Sequence, residues 1–265
     1  MYRGYNLELD KSFFSNYARL VEVGKEQLKS DKNYMRKQLS DYLYNDKSVD
    51  GTKLMEDWFP EAKADVFISH SHNDEELANA LAGWLSETFG LKSFIDSNIW
   101  GYSAALLEDI NSEYSNKRSD GDGGYLYEHS KCNLASQHVN IMLSAALHNM
   151  IDKTECIIFL NTNNSVNQRV YDSDCINETH SPWIYSEILC SKLVRIIVPS
   201  RYKELELRHT LYEQASLQKA LDISYKLPLD HLTKIFTSDL TKWKNAYNKD
   251  VHPLNCLYDL TKRRA

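Results

Sequence analysis

A tryptophan and a glutamate, Trp183 and Glu187, stand four residues apart in a segment that has the signals of a helix start. Ser181 suits the N-cap and Pro182 the first helical position, so the sequence predicts a helix that begins here. Residues four apart lie on one helical face, which places an aromatic ring beside a carboxylate near the helix N-terminus. The pair suits a ligand with a flat ring and a centre that becomes positive during reaction. An isolated pattern of this kind more often pairs a half-buried indole with a solvated glutamate, so the rest of the chain decides its meaning.

The composition is typical of a soluble globular protein. The chain has 265 residues, of which 42% are hydrophobic and 26% charged, enough for one domain with additions or two small domains. Its net charge of −6 provides no basic field, so we expect no nucleic-acid partner. The five cysteines are scattered and form no CxxC pair, which indicates a reducing compartment. The sequence shows neither a signal peptide nor a membrane-spanning run, so we expect a cytoplasmic protein without membrane contact.

Residues 64–96 have the pattern of a β-α-β unit. Strand formers at 64–69 lead into a polar loop, and an amphipathic helix follows that contains Trp84 and ends at Gly90. A second strand is predicted at 92–96. Such a unit is a right-handed parallel crossover.

Further elements alternate in the same way. Strands are predicted at 155–160 and 194–198, with the Trp183 helix between them, and other helices start near Ser103 and cover 139–150. The apolar run at 155–160 is typical of a strand buried on both faces of a parallel sheet. The alternation predicts an α/β fold, with helices on both faces of an open parallel sheet.

The two ends of the chain have a mainly helical pattern. Helices are predicted around 13–21 and 34–43, and beyond residue 200 a strand-like stretch at 223–227 precedes helical stretches around 232–236 and 240–247. Residues 114–132, rich in Ser, Asp and Gly, predict a flexible loop. We therefore expect three parts, which are an N-terminal helical extension (1–62), a central domain (63–200, with an insertion at about 112–150) and a C-terminal extension packed on it (201–265).

Polar residues follow the predicted strands at the edge where open parallel sheets bind ligands. They are Ser69, His70 and Ser71 after the first strand, Asp96 to Gly101 after the second, and Asn161 and Thr162 after the third. The start of the Trp183 helix belongs to the same edge. We expect these residues to converge, although they are far apart in the sequence.

The motifs and their order resemble those of TIR (Toll/interleukin-1 receptor) domains over about residues 63–200. The three segments that resemble TIR signatures are Asp65–Ser71, then Phe94–Asp96 with Gly101, and then Ile157–Leu160 with Ser181, Trp183 and Glu187. The resemblance implies a flavodoxin-like TIR fold. The chain departs from the family at Trp100, where many TIR domains have a proline before the glycine, and in its insertion.

The resemblance also implies an activity. Enzymatic TIR domains cleave the bond between nicotinamide and ribose in NAD+, and the chain looks most like the TIR subunits of Thoeris-type anti-phage systems. Glu187 matches the catalytic glutamate of these enzymes. The expected substrate contacts are Ser69, His70, Ser71, Asp96, Trp100, Gly101 and Trp183. NAD+ is then the substrate, and no cofactor or metal is expected.

Cleavage of the nicotinamide–ribose bond requires one carboxylate. Breaking the nicotinamide–ribose bond develops positive charge on the ribose, and an ionised Glu187 beside it stabilises that charge. Nicotinamide is already cationic in the substrate, so no general acid is required. Capture of the ribose by water gives ADP-ribose, and capture by a nucleophile of the same ligand gives a cyclic product. The sequence leaves both outcomes open.

The resemblance further implies self-association through the TIR domain, a phage-derived trigger, and a separate downstream effector that senses the product. The alternative function is a non-catalytic TIR scaffold for protein assembly, although scaffold members commonly lack the glutamate. A nucleoside deoxyribosyltransferase-like enzyme, which uses a glutamate as a nucleophile, is a further alternative.

Two other possibilities were set aside. A phospho-receiver needs acidic residues after the first strand and an aspartate after the third, where Ser69 and Asn161 stand. A zinc site built on His129, Cys132 and His138 lacks a fourth ligand.

Overall fold

A computed structural model describes residues 1–30, 38–45, 48–95, 97–171, 174–202 and 224–262. Five described strands form a parallel sheet, in the order β10 (Thr233–Phe236), β1 (Arg3–Glu8), β6 (Cys156–Leu160), β2 (Val66–Ser69) and β3 (Ser93–Ile95). The described helices are α1 (Tyr17–Ser30), α2 (Gly51–Trp58), α3 (Glu75–Phe89), α4 (Ser97–Tyr114), α5 (His129–Lys153), α6 (Pro182–Leu193), α7 (Thr237–Ala246) and α8 (Pro253–Thr261). Short antiparallel strands form a hairpin, β4 (Arg118–Ser119) with β5 (Tyr125–Leu126), and a small sheet of β7 (Asn167–Tyr171), β8 (Asp174–Thr179) and β9 (Tyr225–Lys226).

The parallel sheet lies between two apolar cores. Ile68 and Ile158 point to the core formed with α1, α3, α7 and α8, while their neighbours Phe67 and Ile157 point to the core formed with α2, α4, α5 and α6. Strands β2 and β6 are therefore buried on both faces, as the continuous apolar runs predicted. This confirms the α/β class with a central parallel sheet and helices on both faces, an arrangement compatible with a flavodoxin-like fold.

The β-α-β unit lies close to its expected place. β2 and β3 pair in parallel, from Val66 with Ser93 to Ile68 with Ile95, and α3 connects them. Gly90 ends α3 with a left-handed φ of 70°, and its N–H bonds the carbonyls of Leu85 and Ser86. A C-terminal glycine is suited to this conformation because it has no Cβ.

Both ends of the chain contribute strands that the sequence analysis did not predict. β1 lies inside the sheet between β6 and β10, so residues 1–62 are not only helical. β10 occupies 233–236, where a helix was expected, and α7 follows it. Residues 34–37 of the helix expected at 34–43 lie outside the described residues, and Leu39–Tyr42 forms a single 3₁₀ turn.

The strand expected at 194–198 was wrong. Helix α6 continues to Leu193, and the apolar residues that follow, Ile196 to Val198, are exposed and belong to no strand. Both edges of β6 are already paired, one with β1 and the other with β2, so no place beside β6 is open to this segment. The stretch expected to be a loop at 114–132 contains the β4–β5 hairpin and the first residues of α5.

Helices α1 and α3 approach each other through their backbones. A Cβ on Gly24 would lie 2.1 Å from the carbonyl oxygen of Asn79, and one on Gly83 would lie 2.1 Å from that of Leu20. Atoms cannot approach so closely, so the contact depends on glycine at both positions.

None of the described helices combines the length and the apolar composition needed to cross a lipid bilayer.

Candidate active site

Ser69 and Glu187 meet at the carboxyl edge of the parallel sheet. Ser69 is the last residue of β2, and its Oγ donates a hydrogen bond of 2.7 Å to Oε2 of Glu187, 118 residues away in the chain. Ser69 is 0% and Glu187 1% exposed. A carboxylate this deeply buried needs hydrogen-bond donors, and the Ser69 hydroxyl is one of them.

Helix α6 positions the glutamate. The helix begins as predicted, with Pro182 in its first turn and Ser181 as N-cap, whose Oγ accepts from the backbone N–H of Ile184 at 3.3 Å. Glu187 lies in the second turn, beyond the first turn where the helix dipole acts most strongly. The hydrogen bond donated by Ser69 is therefore a more direct contact to the carboxyl group than the helix terminus.

The structure describes the remaining expected residues of this edge to different degrees. His70 follows Ser69 directly and is also buried, and Ser71 is half-buried at the start of a 3₁₀ turn. Trp183 is half-buried and packs against the core formed with α5 and α6. Asp96 lies outside the described residues. Trp100 and Gly101 belong to α4 by backbone, but the side chain of Trp100 is outside the description as well.

An aspartate that was not singled out from the sequence ties two loops of this edge together. Asp74, in the loop after β2, is 7% exposed. Its Oδ2 accepts a hydrogen bond of 2.5 Å from the Thr162 hydroxyl, and its Oδ1 accepts one of 2.7 Å from the Asn164 side chain. The sequence placed Asp74 in a polar loop and Thr162 at the same edge, but gave no signal that they would pair.

No described group of three or more His, Cys, Asp or Glu side chains is placed to hold a metal ion. Histidine side chains near the site make ordinary polar contacts instead. His148 of α5, for example, shares a hydrogen bond of 2.8 Å with the Ser186 hydroxyl next to Glu187, and burial lowers the pKa of this imidazole.

Cys190 lies one turn after Glu187 and is expected to be the least reactive thiol near the site. Burial, aided by the negative charges of Asp152 and Glu187, raises the pKa of Cys190 to about 11. Because the thiolate is the reactive form, we expect iodoacetamide at pH 7.5 to label Cys190 at least ~100-fold more slowly than the half-buried Cys132.

Peptide mass spectrometry of the native protein over time measures both labelling rates. In urea the two thiols should react at similar rates, which controls for local sequence effects. Equal rates in the native protein would contradict the expected protection of Cys190.

The sequence analysis predicted that Ser69 and Glu187 converge at the carboxyl edge of the parallel sheet, where ligands of such sheets bind, and the structure joins them there as a buried pair. The chain matches no protein-family model, no curated protein and no solved structure.

Proposed function

We propose that this chain is a TIR-type enzyme that cleaves the nicotinamide–ribose bond of NAD+, with Glu187 as the catalytic carboxylate. The observation that supports this most is the contact between Ser69 and Glu187, because it joins the first and third signature segments at one point of the sheet. The proposal includes a cytoplasmic location and a role in bacterial anti-phage defence, in which an ADP-ribose-derived product signals to a separate effector.

The proposed mechanism uses the carboxylate as an electrostatic stabiliser. As the bond to nicotinamide lengthens, the ribose becomes positive, and Glu187 lies where a negative charge lowers the energy of that state. Ser69 holds one carboxylate oxygen and thereby fixes the direction in which the group faces. Trp183, one turn earlier on α6, supplies an aromatic wall for a flat ring.

The burial of Glu187 bears on how the enzyme is switched on. At 1% exposure the carboxylate does not face solvent, so a substrate reaches it only after neighbouring groups move. Since opening a buried pair costs free energy, a partner or a second copy that stabilises the open form would raise activity. This supports the expectation that self-association or an infection-derived trigger is required.

The test is incubation of the concentrated protein with NAD+, alone and in lysate of phage-infected cells, with products resolved by mass spectrometry. We expect nicotinamide in one or both conditions, and the mass of the second product separates hydrolysis from cyclisation or conjugation. A parallel incubation with 2′-deoxynucleosides and a free base tests the deoxyribosyltransferase-like alternative. If nicotinamide appears in neither condition, the scaffold function replaces the enzymatic one.

A further inference from the structure

A groove with a volume of about 1380 Å³ opens at the carboxyl edge of the parallel sheet, beside the ends of β1, β6 and β10. The small antiparallel sheet contributes to its lining through Gln168 of β7 and Asn177 of β8, which pair across the two strands. The described lining residues include neither Ser69 nor Glu187, although Asp74, Asn161 and Thr162 of the same sheet edge belong to the lining. Typical small-molecule sites have roughly 300–1,000 Å³, and the groove has room for a longer ligand.

One buried side chain of the lining lacks a hydrogen-bond partner. Asn6 lies in β1, paired by its backbone position with Phe159 of β6 and Lys234 of β10, and is 7% exposed. Its Oδ1 is buried without a partner among the described residues. Nearly all buried polar atoms in native proteins are hydrogen-bonded, so a donor from a bound ligand or an ordered water would complete this oxygen.

Three charged side chains of the groove already have partners among the described residues. Lys234 forms an ion pair of 2.6 Å with Glu8, and its Nζ also lies 5.3 Å from the centre of the Phe236 ring. Both oxygens of Asp74 accept hydrogen bonds from the loop after β6. Four acidic side chains outnumber two lysines in the described lining, which contains no arginine. Phosphate groups are bound through arginine or a positive field, so the groove disfavours a phosphorylated ligand.

The most numerous polar groups of the described lining are carboxamides, one of which, that of Asn164, is already bonded to Asp74. Seven asparagines and one glutamine are among the described lining residues. A carboxamide both donates and accepts hydrogen bonds, and so does a hydroxyl group, so a row of carboxamides matches a ligand with many hydroxyls. Phe236, 40% exposed, and the half-buried Tyr17 add apolar ring faces to the lining. Burial and the charges of Glu76 and Asp74 raise the pKa of Tyr17, which keeps its phenol a neutral donor.

We propose that this groove is a second binding site, for an uncharged oligosaccharide of two or more rings. The unpaired oxygen of Asn6, the carboxamide-rich lining and the volume of the groove point to the same class of ligand. The site does not depend on the proposed NAD+ chemistry.

The test is saturation-transfer NMR of the full chain with D-glucose, maltotriose, cellotriose and chitotriose, and with inorganic pyrophosphate as the anionic probe. We expect at least one trisaccharide to bind more tightly than D-glucose and pyrophosphate to show no binding. If no trisaccharide binds, or if pyrophosphate binds more tightly than all of them, the proposal is wrong.

Substitutions of lining residues test whether the trisaccharide binds in the groove. Asn6→Leu and Asn177→Ala should each weaken trisaccharide binding at least tenfold, whereas Asn133→Ala, exposed on α5, should leave it unchanged. Asn6 is in the interior of the sheet, so Asn177→Ala keeps the test valid if the Asn6 variant does not fold. Unchanged affinity in Asn177→Ala would place the ligand elsewhere and overturn the proposal. Glu187→Gln should retain sugar binding, which separates this site from the proposed active site.

Discussion

Glu187→Gln is expected to lower the rate of nicotinamide release from NAD+ at least ~100-fold, the scale on which a single electrostatic contact acts in a closed active site. The substitution keeps the size of the side chain and still offers the Ser69 hydroxyl an oxygen to which it can donate. It removes only the negative charge that stabilises the positive ribose. The rate is measured by chromatography of nicotinamide under whichever condition activates the wild type.

Two comparison variants show whether the effect is specific to the charge of Glu187 and how much its contact with Ser69 contributes. Glu113→Gln removes the same charge from an exposed position on α4 and should leave the rate unchanged. Ser69→Ala should lower the rate about 10- to 100-fold, because a hydrogen bond to a charged group contributes about 1.5–3 kcal/mol. If Glu187→Gln retains the wild-type rate while the protein remains folded, Glu187 is not the catalytic residue.

Gly83→Ala is expected to reduce the free energy of unfolding by about 1–2 kcal/mol. The added Cβ would meet the backbone carbonyl of Leu20, a group that cannot rotate away, so α1 and α3 would have to separate. Overpacking of this kind typically costs about 1–3 kcal/mol. Alanine favours a helix over glycine by about 1 kcal/mol, so a loss of stability here would show that the helix contact dominates.

Thermal and urea unfolding followed by circular dichroism measure the change. For a chain of this size each kcal/mol corresponds to about 2–4 °C in Tm. Gly51→Ala is the matched control, because its Cβ would meet only the flexible end of Met142, at 3.3 Å. A Tm for Gly83→Ala equal to or above that of the wild type would show that the two helices move apart at little cost.

The strands β2 and β6 could be predicted because their burial determines which types of residue they contain. β2 and β6 are continuous apolar runs, and strands with both faces covered require them. β1 was missed because it does not have this pattern. Tyr5 and Leu7 face one core, but Asn6 and Glu8 on the other face line the groove, where polar side chains are accommodated.

The exposed segment at 194–198 was predicted to be a strand and is not one, whereas β1 is a strand that was not predicted. Its residues have the composition of a buried strand, but whether a run joins a sheet depends on which strand edges are open. In the structure, β1 pairs with the edge of β6 that β2 leaves open. The residues at 194–198 give no indication that this edge is already occupied.

The candidate site was predictable to the extent that topology alone determines it. Parallel strands end at the same edge, and a helix start that follows β6 must lie near that edge, so Ser69 and Glu187 were expected to converge. The bonds from Thr162 and Asn164 to Asp74 were not expected, since they depend on the exact path of two loops. The groove was not expected either, because it forms only where β1, β10 and the small antiparallel sheet come together.

The position of β1 affects the order in which a ribosome can complete this sheet. β1 is synthesised first, but its neighbours are Cys156–Leu160 on one side and Thr233–Phe236 on the other. The β2–α3–β3 unit is local in sequence and can form during synthesis, whereas β1 waits unpaired until β6 has emerged, and its second edge stays open until β10 has emerged. Pairings so distant in sequence form slowly, and open strand edges attract other chains. Newly made protein is therefore most prone to aggregation between the completion of β2–α3–β3 and the arrival of β10.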